Sequence, residues 1–141
     1  MRNRKVQCWI FSADLSDPKC LLLKTNVARG SHWQPVTGSV ESGEGWFEAA
    51  CRETQEETGF QFQSPPKDVG YEFEFTSQFG VTKERVFALL VENQPNPVLD
   101  PKEHQNFEWT TPVAAITQLK YSSNVEGLKR SYKLIYGKAL T

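Results

Sequence analysis

Little in this chain is present in excess, and each shortage excludes something. Its three cysteines, Cys8, Cys20 and Cys51, are an odd number with no C-x-x-C pair, so neither a disulfide framework nor a zinc cluster is indicated. Free buried thiols in a reducing compartment are the ordinary alternative. Neither charge sign dominates, since 16 Lys and Arg face 17 Asp and Glu for a formal net charge of -1. A long nucleic acid as main partner asks for a basic surface, so none is expected; a small phosphorylated ligand needs only a local site. The apolar stretch after the basic start MRNRKVQCWIF breaks off at SADLSD, too short for a signal peptide, and no run approaches a membrane span. A cytoplasmic protein without membrane contact is expected. Internal repeats and low-complexity tracts are missing as well. The 141 residues suit one domain, residues 1–141, with room for a core that needs no disulfides.

What is there is a series of short apolar runs separated by turn chemistry. Val6 to Phe11 reads as a strand, and the polar turn SADLSDPK leads to a second, Cys20 to Lys24, which suggests a hairpin. The loop TNVARGSH leads to a strand-like piece, Trp33 to Val36, and TGSVESGEG beyond it is too glycine-rich for regular structure. Trp46 to Thr58 is the best helix, stopped by Gly59, because glycine tolerates the left-handed conformation in which helices end. Tyr71 to Thr76 and Arg85 to Val91 read as strands, Phe107 to Thr110 as a short one, and Pro112 to Leu119 as a helix. A last helix is signalled by capping-box spacing in Ser123-Asn124-Val125-Glu126, with Leu128, Tyr132 and Ile135 on its core-facing side. A mixed sheet flanked by helices follows, an α/β or α+β sandwich.

The helix over Trp46 to Thr58 carries the chemistry. At about 100° per residue, Glu53, Glu56 and Glu57 fall within an arc of roughly 100°, with Arg52 at its edge. Phe47, Ala50, Cys51 and Thr54 fall on the other side. The three glutamates are spaced to repel one another, and they lie near a helix C-terminus, where the dipole disfavours anions. A solvated acidic face, with Glu48 and Arg52 as an ordinary pair, is the plain explanation. Charges set against local stability favour joint use instead, and clustered carboxylates suit a hard divalent cation such as Mg²⁺.

Motif spacing decides between these readings. Gly38, Glu44, Arg52, Glu53, Glu56, Glu57, Gly59 and Phe60 stand as in G-x5-E-x7-R-E-U-x-E-E-x-G-U, where U is bulky and apolar. Eight of nine constrained positions match, and Thr54 departs at the first U, which touches local packing. The chain thus resembles the Nudix hydrolases. The resemblance implies a Nudix α/β/α sandwich with a central mixed sheet, in which the box forms a loop–helix–loop. It also implies Mg²⁺-dependent hydrolysis of a diphosphate linkage, with Mn²⁺ as a substitute. Carried over by position, Glu53, Glu56 and Glu57 are the expected metal ligands. Glu44 supports the loop or reaches a metal-held water, Arg52 positions a ligand carboxylate, and Gly38 permits close approach to the site. Such cations neutralise the diphosphate and activate a water for in-line attack, with a nearby carboxylate as general base. Two carboxylates qualify as base, Glu53 and Glu103; the other reading of Glu103 is a plain loop carboxylate. His104 is expected to be structural, because this family relies on carboxylates.

Several patches outside the box resemble the bacterial dihydroneopterin triphosphate diphosphatases, which also hydrolyse deoxynucleoside triphosphates such as dATP. They are Trp33 to Glu41, Gly80-Val81-Thr82, Glu103-His104 followed by Trp109, Ala114-Ala115 and Ser123-Asn124; Pro35 departs from the pattern. Lys24, Arg29, Lys83 and Arg85 are candidate cations for phosphate oxygens, although lone Lys and Arg are mostly solvated. Trp33, Phe79 and Trp46 are candidates to stack on a pterin or purine ring, whereas Trp109 is expected in the core. The box also resembles that of the asymmetric dinucleoside tetraphosphate hydrolases. An RNA 5′-pyrophosphohydrolase is disfavoured by the lack of basic excess. A non-catalytic Nudix-fold binding module would show lost box glutamates, and none is missing.

Overall fold

The computed structural model describes residues 3–140. Its elements are β1 (Asn3–Ser12), β2 (Cys20–Thr25), a single 3-10 turn at Val27–Arg29, β3 (Trp33–Gln34), β4 (Val36–Ser39), α1 (Trp46–Thr58), β5 (Lys67–Ser77), β6 (Gly80–Val91), β7 (His104–Thr110), α2 (Pro112–Gln118) and α3 (Ser122–Tyr136). One mixed sheet runs in the order β3-β2-β1-β6-β5, with β4 paired to β1 and β7 to β2. No helix among the described residues is long and apolar enough to cross a membrane.

β1 is the hub of this sheet. It runs parallel to β6 along its whole length, from Asn3↔Thr82 to Ser12↔Val91. Its first half also pairs antiparallel with β4, and its far end meets β2 at Phe11↔Cys20, as the expected hairpin. A strand enclosed on both faces must be apolar on both, and the alternation sorts its residues into two clusters. Val6, Cys8 and Ile10 join Leu21, Leu23, Phe87 and Leu89 under Ala49 and Ala50 of α1. Trp9 and Phe11 join Leu22, Val86 and Ala88 under Ala115 of α2 and Leu128 and Tyr132 of α3. The result is the α/β/α sandwich that the resemblance implied, a form of the α/β or α+β sandwich expected from the pattern.

Several local readings give way to tertiary contacts. The strand-like piece at Trp33 to Val36 divides into β3 and β4 at Pro35, which has no N–H to give a ladder. The glycine-rich stretch is not wholly irregular, for β4 continues through Gly38 to Ser39 against β1. α3 begins at Ser122, behind Tyr121, with no side-chain cap. The Ser123–Glu126 capping box therefore does not form, and Glu126 instead accepts from Arg130 Nε at 2.8 Å. On α1, Phe47 is 48% exposed while Glu57 is only 2% exposed. Small side chains at Ala49 and Ala50 let that flank of the helix lie close to the sheet, which draws Glu57 in and rolls Phe47 outward.

α3 shows the same closeness on the other face. Gly127 lies directly over Gln7 and Trp9, and a Cβ there would collide with the Gln7 amide oxygen. We expect Gly127→Ala to destabilise the protein by about 1–3 kcal/mol through overpacking, despite alanine's better helix propensity. The midpoint of urea unfolding checks this; an unchanged or raised midpoint would mean that α3 has room to shift.

Candidate active site

The site is built where α1 crosses β4. Gly38 sits in β4 opposite Val6 of β1, and its missing side chain is filled by the Glu53 carboxyl group, which any Cβ would strike. One residue earlier, the Thr37 backbone N–H donates to Glu57. Both carboxyl groups are thereby pressed between helix and strand. Burial pushes both above the usual carboxylate range, most strongly at Glu57, and the two share a hydrogen bond. One Glu57 oxygen, Oε1, is buried without a hydrogen-bond partner.

Arg52 holds the rest together. Its Nε and Nη2 donate to the two Glu44 oxygens at 2.8 and 2.9 Å, a bidentate fork. Nη1 donates to Glu53 at 2.8 Å and to Glu56 at 3.1 Å, and Nη2 also reaches the Ser39 carbonyl at 2.8 Å. Glu44 closes the loop by accepting from the Glu41 N–H at 3.0 Å. These bonds hold the Glu44 carboxyl well below its ordinary range and raise the Arg52 guanidinium further still. The expected pair with Glu48 is thus replaced by ties that fix the loop before α1 to its acidic face.

A second segment approaches from β7. The β2–β7 ladder shifts register between Lys24 and Thr25, and such a bulge re-aims the residues beyond it. His104 is thereby buried with Nε2 3.8 Å from Glu57 Oε1. Burial and the charge of Arg29 lower His104 to about 4, so at neutral pH its ring is uncharged and of little use as an ion-pair partner. Glu103 lies close enough for its charge to push Glu57 up further. Its carboxylate meets Arg29 Nη2 at 3.4 Å, and its carbonyl accepts from the Asn26 N–H at 3.1 Å.

The fold thus brings Gly38, Glu44, Arg52, Glu53, Glu56, Glu57, Glu103 and Arg29 into one neighbourhood. Others fall elsewhere. Lys24 lies over the Trp33 ring at 5.8 Å, and Trp33 packs against the α3-side cluster beside Leu119. Phe79 is 75% exposed at the β5–β6 turn. Arg85 is engaged by Asp68 at 2.9 Å and Glu72 at 3.2 Å, while Lys83 lies 3.5 Å from Glu72. Trp46 is partly buried on the core, beneath the Arg4 and Arg85 guanidinium groups. Sequence reading missed the backbone of Thr37 and Ser39, which no residue type could have signalled. Thr54, the departure from the box, is buried beside the Cys8 thiol.

Whether a hard cation fits can be judged from the donors. Among the described residues no three His, Cys, Asp or Glu side chains are already gathered around one point; the Arg52 guanidinium lies between Glu44, Glu53 and Glu56 instead. The oxygens themselves are the right kind. Glu53, Glu56 and Glu57 share one flank of α1, and the orphaned Glu57 oxygen lacks a partner that a cation would supply.

Fold and site together define an α/β/α sandwich with a carboxylate cluster where its helix α1 crosses β4. The chain belongs to the Nudix family: the NUDIX domain matches residues 1–131. Its curated relatives include hydrolases of phosphoric anhydrides, and hydrolases of this family generally use divalent cations. A Haemophilus influenzae dihydroneopterin triphosphate diphosphatase is 32% identical over 111 residues, 70% of this chain and 69% of that protein. A Caenorhabditis elegans asymmetrical bis(5′-nucleosyl)-tetraphosphatase is 35% identical over 79 residues, 55% of this chain and 57% of that one. A Myxococcus xanthus protein named octanoyltransferase is 32% identical over 119 residues; the match spans 82% of this chain but only 32% of that protein, whose name describes the whole. Among solved structures, the E. coli dihydroneopterin triphosphate pyrophosphohydrolase superposes with a TM-score of 0.81 at 24% identity, covering 96% of each chain. A C. elegans Ap4A hydrolase complex gives 0.81 at 22%, covering 96% of this chain and 99% of that one. At such identities the likeness is one of fold.

The buried Glu57 carboxyl sets a pH dependence in metal-free protein. Its folded value lies above the ordinary 4.5, so its contribution is fully present below that pH and is lost as pH rises towards the folded value. A glutamine keeps the hydrogen bond to Glu53 without the charge. Glu57→Gln should therefore stabilise the metal-free protein at pH 8 by about 1–3 kcal/mol, with the advantage fading towards pH 4. Urea unfolding in chelator across that range is the check; a variant less stable at every pH would contradict the account.

Proposed function

We propose that this hydrolase releases pyrophosphate from a heterocyclic triphosphate, with dihydroneopterin triphosphate or dATP as the leading substrates. Mg²⁺ is the cation, with Mn²⁺ able to replace it. The observation that carries the catalytic part is the Glu53–Glu57 pair buried against β4, with Glu103 brought beside it by β7. The substrate rests on the order of the matching patches along the chain and on the Haemophilus relative, which covers 70% of it.

Glu53, Glu56 and Glu57 would hold the cation, with Glu44 behind them. When bound, it would neutralise diphosphate oxygens and lower the pKa of a water. Arg52 keeps Glu44, Glu53 and Glu56 in place through its fork, and Gly38 leaves room for the Glu53 carboxyl group. Arg29, exposed at the rim, supplies a charge to a phosphate oxygen. Glu103 or Glu53 takes the proton from the attacking water; Glu103 is favoured here because Arg52 does not occupy it. Lys24 and Trp33 on the β2–β3 edge, and Phe79 and Arg85 on the β5–β6 hairpin, are left as more distant candidates for substrate contact. The second reading is an asymmetric dinucleoside tetraphosphate hydrolase, favoured by the C. elegans relative at 35% identity.

A product-resolved panel with Mg²⁺ tests the proposal, comparing dihydroneopterin triphosphate, the common nucleoside triphosphates and diadenosine tetraphosphate. Fastest pyrophosphate release from the pterin or from dATP is the expected result. Preferential cleavage of diadenosine tetraphosphate to ATP and AMP would replace it with the second reading. Glu57→Gln should lower kcat by about a hundredfold or more while the protein stays folded, as for loss of a metal-site group. Glu103→Gln should lower kcat by about 10²–10⁴-fold, the usual contribution of a general base, and KM much less. An unchanged rate would return Glu103 to the role of a loop carboxylate.

A further inference from the structure

The box motif does not include Arg4, yet the structure ties Arg4 to the box loop. It stands in β1 two residues before Val6, so alternation puts both on the face that α1 covers. Its backbone C=O accepts from the Val40 N–H at 2.9 Å, one residue past the end of β4. Its guanidinium Nη2 donates to the Glu44 C=O at 3.1 Å. The same guanidinium lies 5.3 Å from the centre of the Trp46 ring, at the first residue of α1. One side chain and its backbone thus touch the entry, the end and the exit of the loop between β4 and α1.

That loop needs an anchor. α1 begins behind Gly45 with no side-chain cap, although a cap is what ordinarily settles where a helix starts. Within the loop, Glu41 and Glu44 bond each other, N–H to C=O and N–H to carboxylate. Its side-chain ties run to the helix: Arg52 forks onto both Glu44 oxygens and lies 3.6 Å from Glu41. Ties of that kind move with α1 and do not set the loop against the sheet. Among the described residues, the hydrogen bonds that join this loop to β1 are both made by Arg4. Glu53 and Glu57 need no such help, because Gly38 and the Thr37 N–H register them on β4 directly.

We propose that Arg4 is a positioning residue of the cation site: it holds the loop that carries Glu44 in register with the sheet, and so sets Glu44 and the Arg52 fork against Glu53 and Glu57. This deepens the reading of those carboxylates as the cation site and rests on it. A guanidinium suits the task, since it is planar enough to lie over an indole while one Nη reaches a carbonyl. A lysine ammonium is a point charge and does one of these at a time. Groups that orient metal ligands without touching the metal are worth about 10–100-fold in affinity. The sign of the effect is diagnostic. Removing a positive charge beside an acidic cluster should by itself tighten the hold on a cation. Weaker binding on loss of Arg4 therefore reports lost positioning and not lost charge.

The test is Mn²⁺ binding to the full chain without substrate, with free Mn²⁺ counted by electron paramagnetic resonance. The natural protein is compared with Glu57→Gln, Arg4→Met, Arg4→Lys, Glu44→Gln and the double variant Arg4→Met with Glu44→Gln. Methionine keeps an unbranched stem over Trp46 and removes the donor. Arg4→Met should bind Mn²⁺ about tenfold more weakly, and Arg4→Lys should fall between it and the natural protein. Adding Arg4→Met to Glu44→Gln should weaken binding little further, since the group being positioned is already gone. Urea unfolding in chelator establishes that each variant is folded. Binding by Arg4→Met that equals or exceeds the natural affinity would overturn the proposal, and so would the same loss in both backgrounds; Arg4 would then be a structural residue. If Arg4→Met does not fold, Arg4→Lys decides alone: weaker binding supports the proposal and natural affinity overturns it. A natural protein that binds no Mn²⁺, or a Glu57→Gln variant that binds it equally well, would overturn the cation reading and this inference together. Loss in Glu57→Gln beside natural affinity in Arg4→Met would overturn this inference alone.

Discussion

How closely α1 lies on β4 governs the rest of the site. At Gly38 helix and strand approach so tightly that a carboxyl group occupies the space where a Cβ would stand. Ala49 and Ala50 make the approach possible from the helix side, being small and fully buried. Once the two elements are in contact, Glu53 and Glu57 have nowhere to go but between them. Desolvation raises both, and like charges this close cannot both ionise easily. The arrangement is tolerable only because Arg52 ties Glu53 to Glu44 and Glu56 and the Thr37 N–H bonds Glu57.

This architecture sets function against stability. An acidic cluster that repels itself is a poor element of a fold and a good receptor for a hard cation, since binding would relieve the repulsion. The second approach, from β7, adds Glu103 to the same field. Its position depends on contacts along two loops: Asn26 Nδ2 donates to the Pro101 carbonyl at 2.7 Å, and Gln105 Nε2 donates to the Thr25 carbonyl at 2.9 Å. The loops flanking the site are thus fastened to each other, which keeps a half-buried carboxylate at the rim without burying it outright.

The sheet partitions the chemistry. Its α1 face carries Glu53 and Glu57 against β4, and its α3 face buries the hydrogen-bonded pair of Gln7 and Glu84 beside Trp9. β1 serves both, since Val6 faces one side and Gln7 the other, and β4 lies against each in turn.

Some of this was legible along the chain alone. Trp46–Thr58 and its stop at Gly59 were readable because helix periodicity and a left-handed glycine, here at φ 72, are local matters. The box residues were readable because their spacing places them on one helix and its entry loop. Burial of Glu57, exposure of Phe47, extension of β4 through Gly38 and loss of the Ser123 cap were not readable, since each depends on which surface meets the element. Arg85 looked like a free cation until Asp68 and Glu72 came alongside it. Gln7 and Glu84, 77 residues apart, form a pair only because β1 and β6 run side by side. Pattern along the chain determined the elements and the family of chemistry, for those follow from the near neighbours of each residue. Which carboxylates lose their water, and what faces them, was decided by packing alone, because desolvation is a property of the assembled surface and not of any one segment.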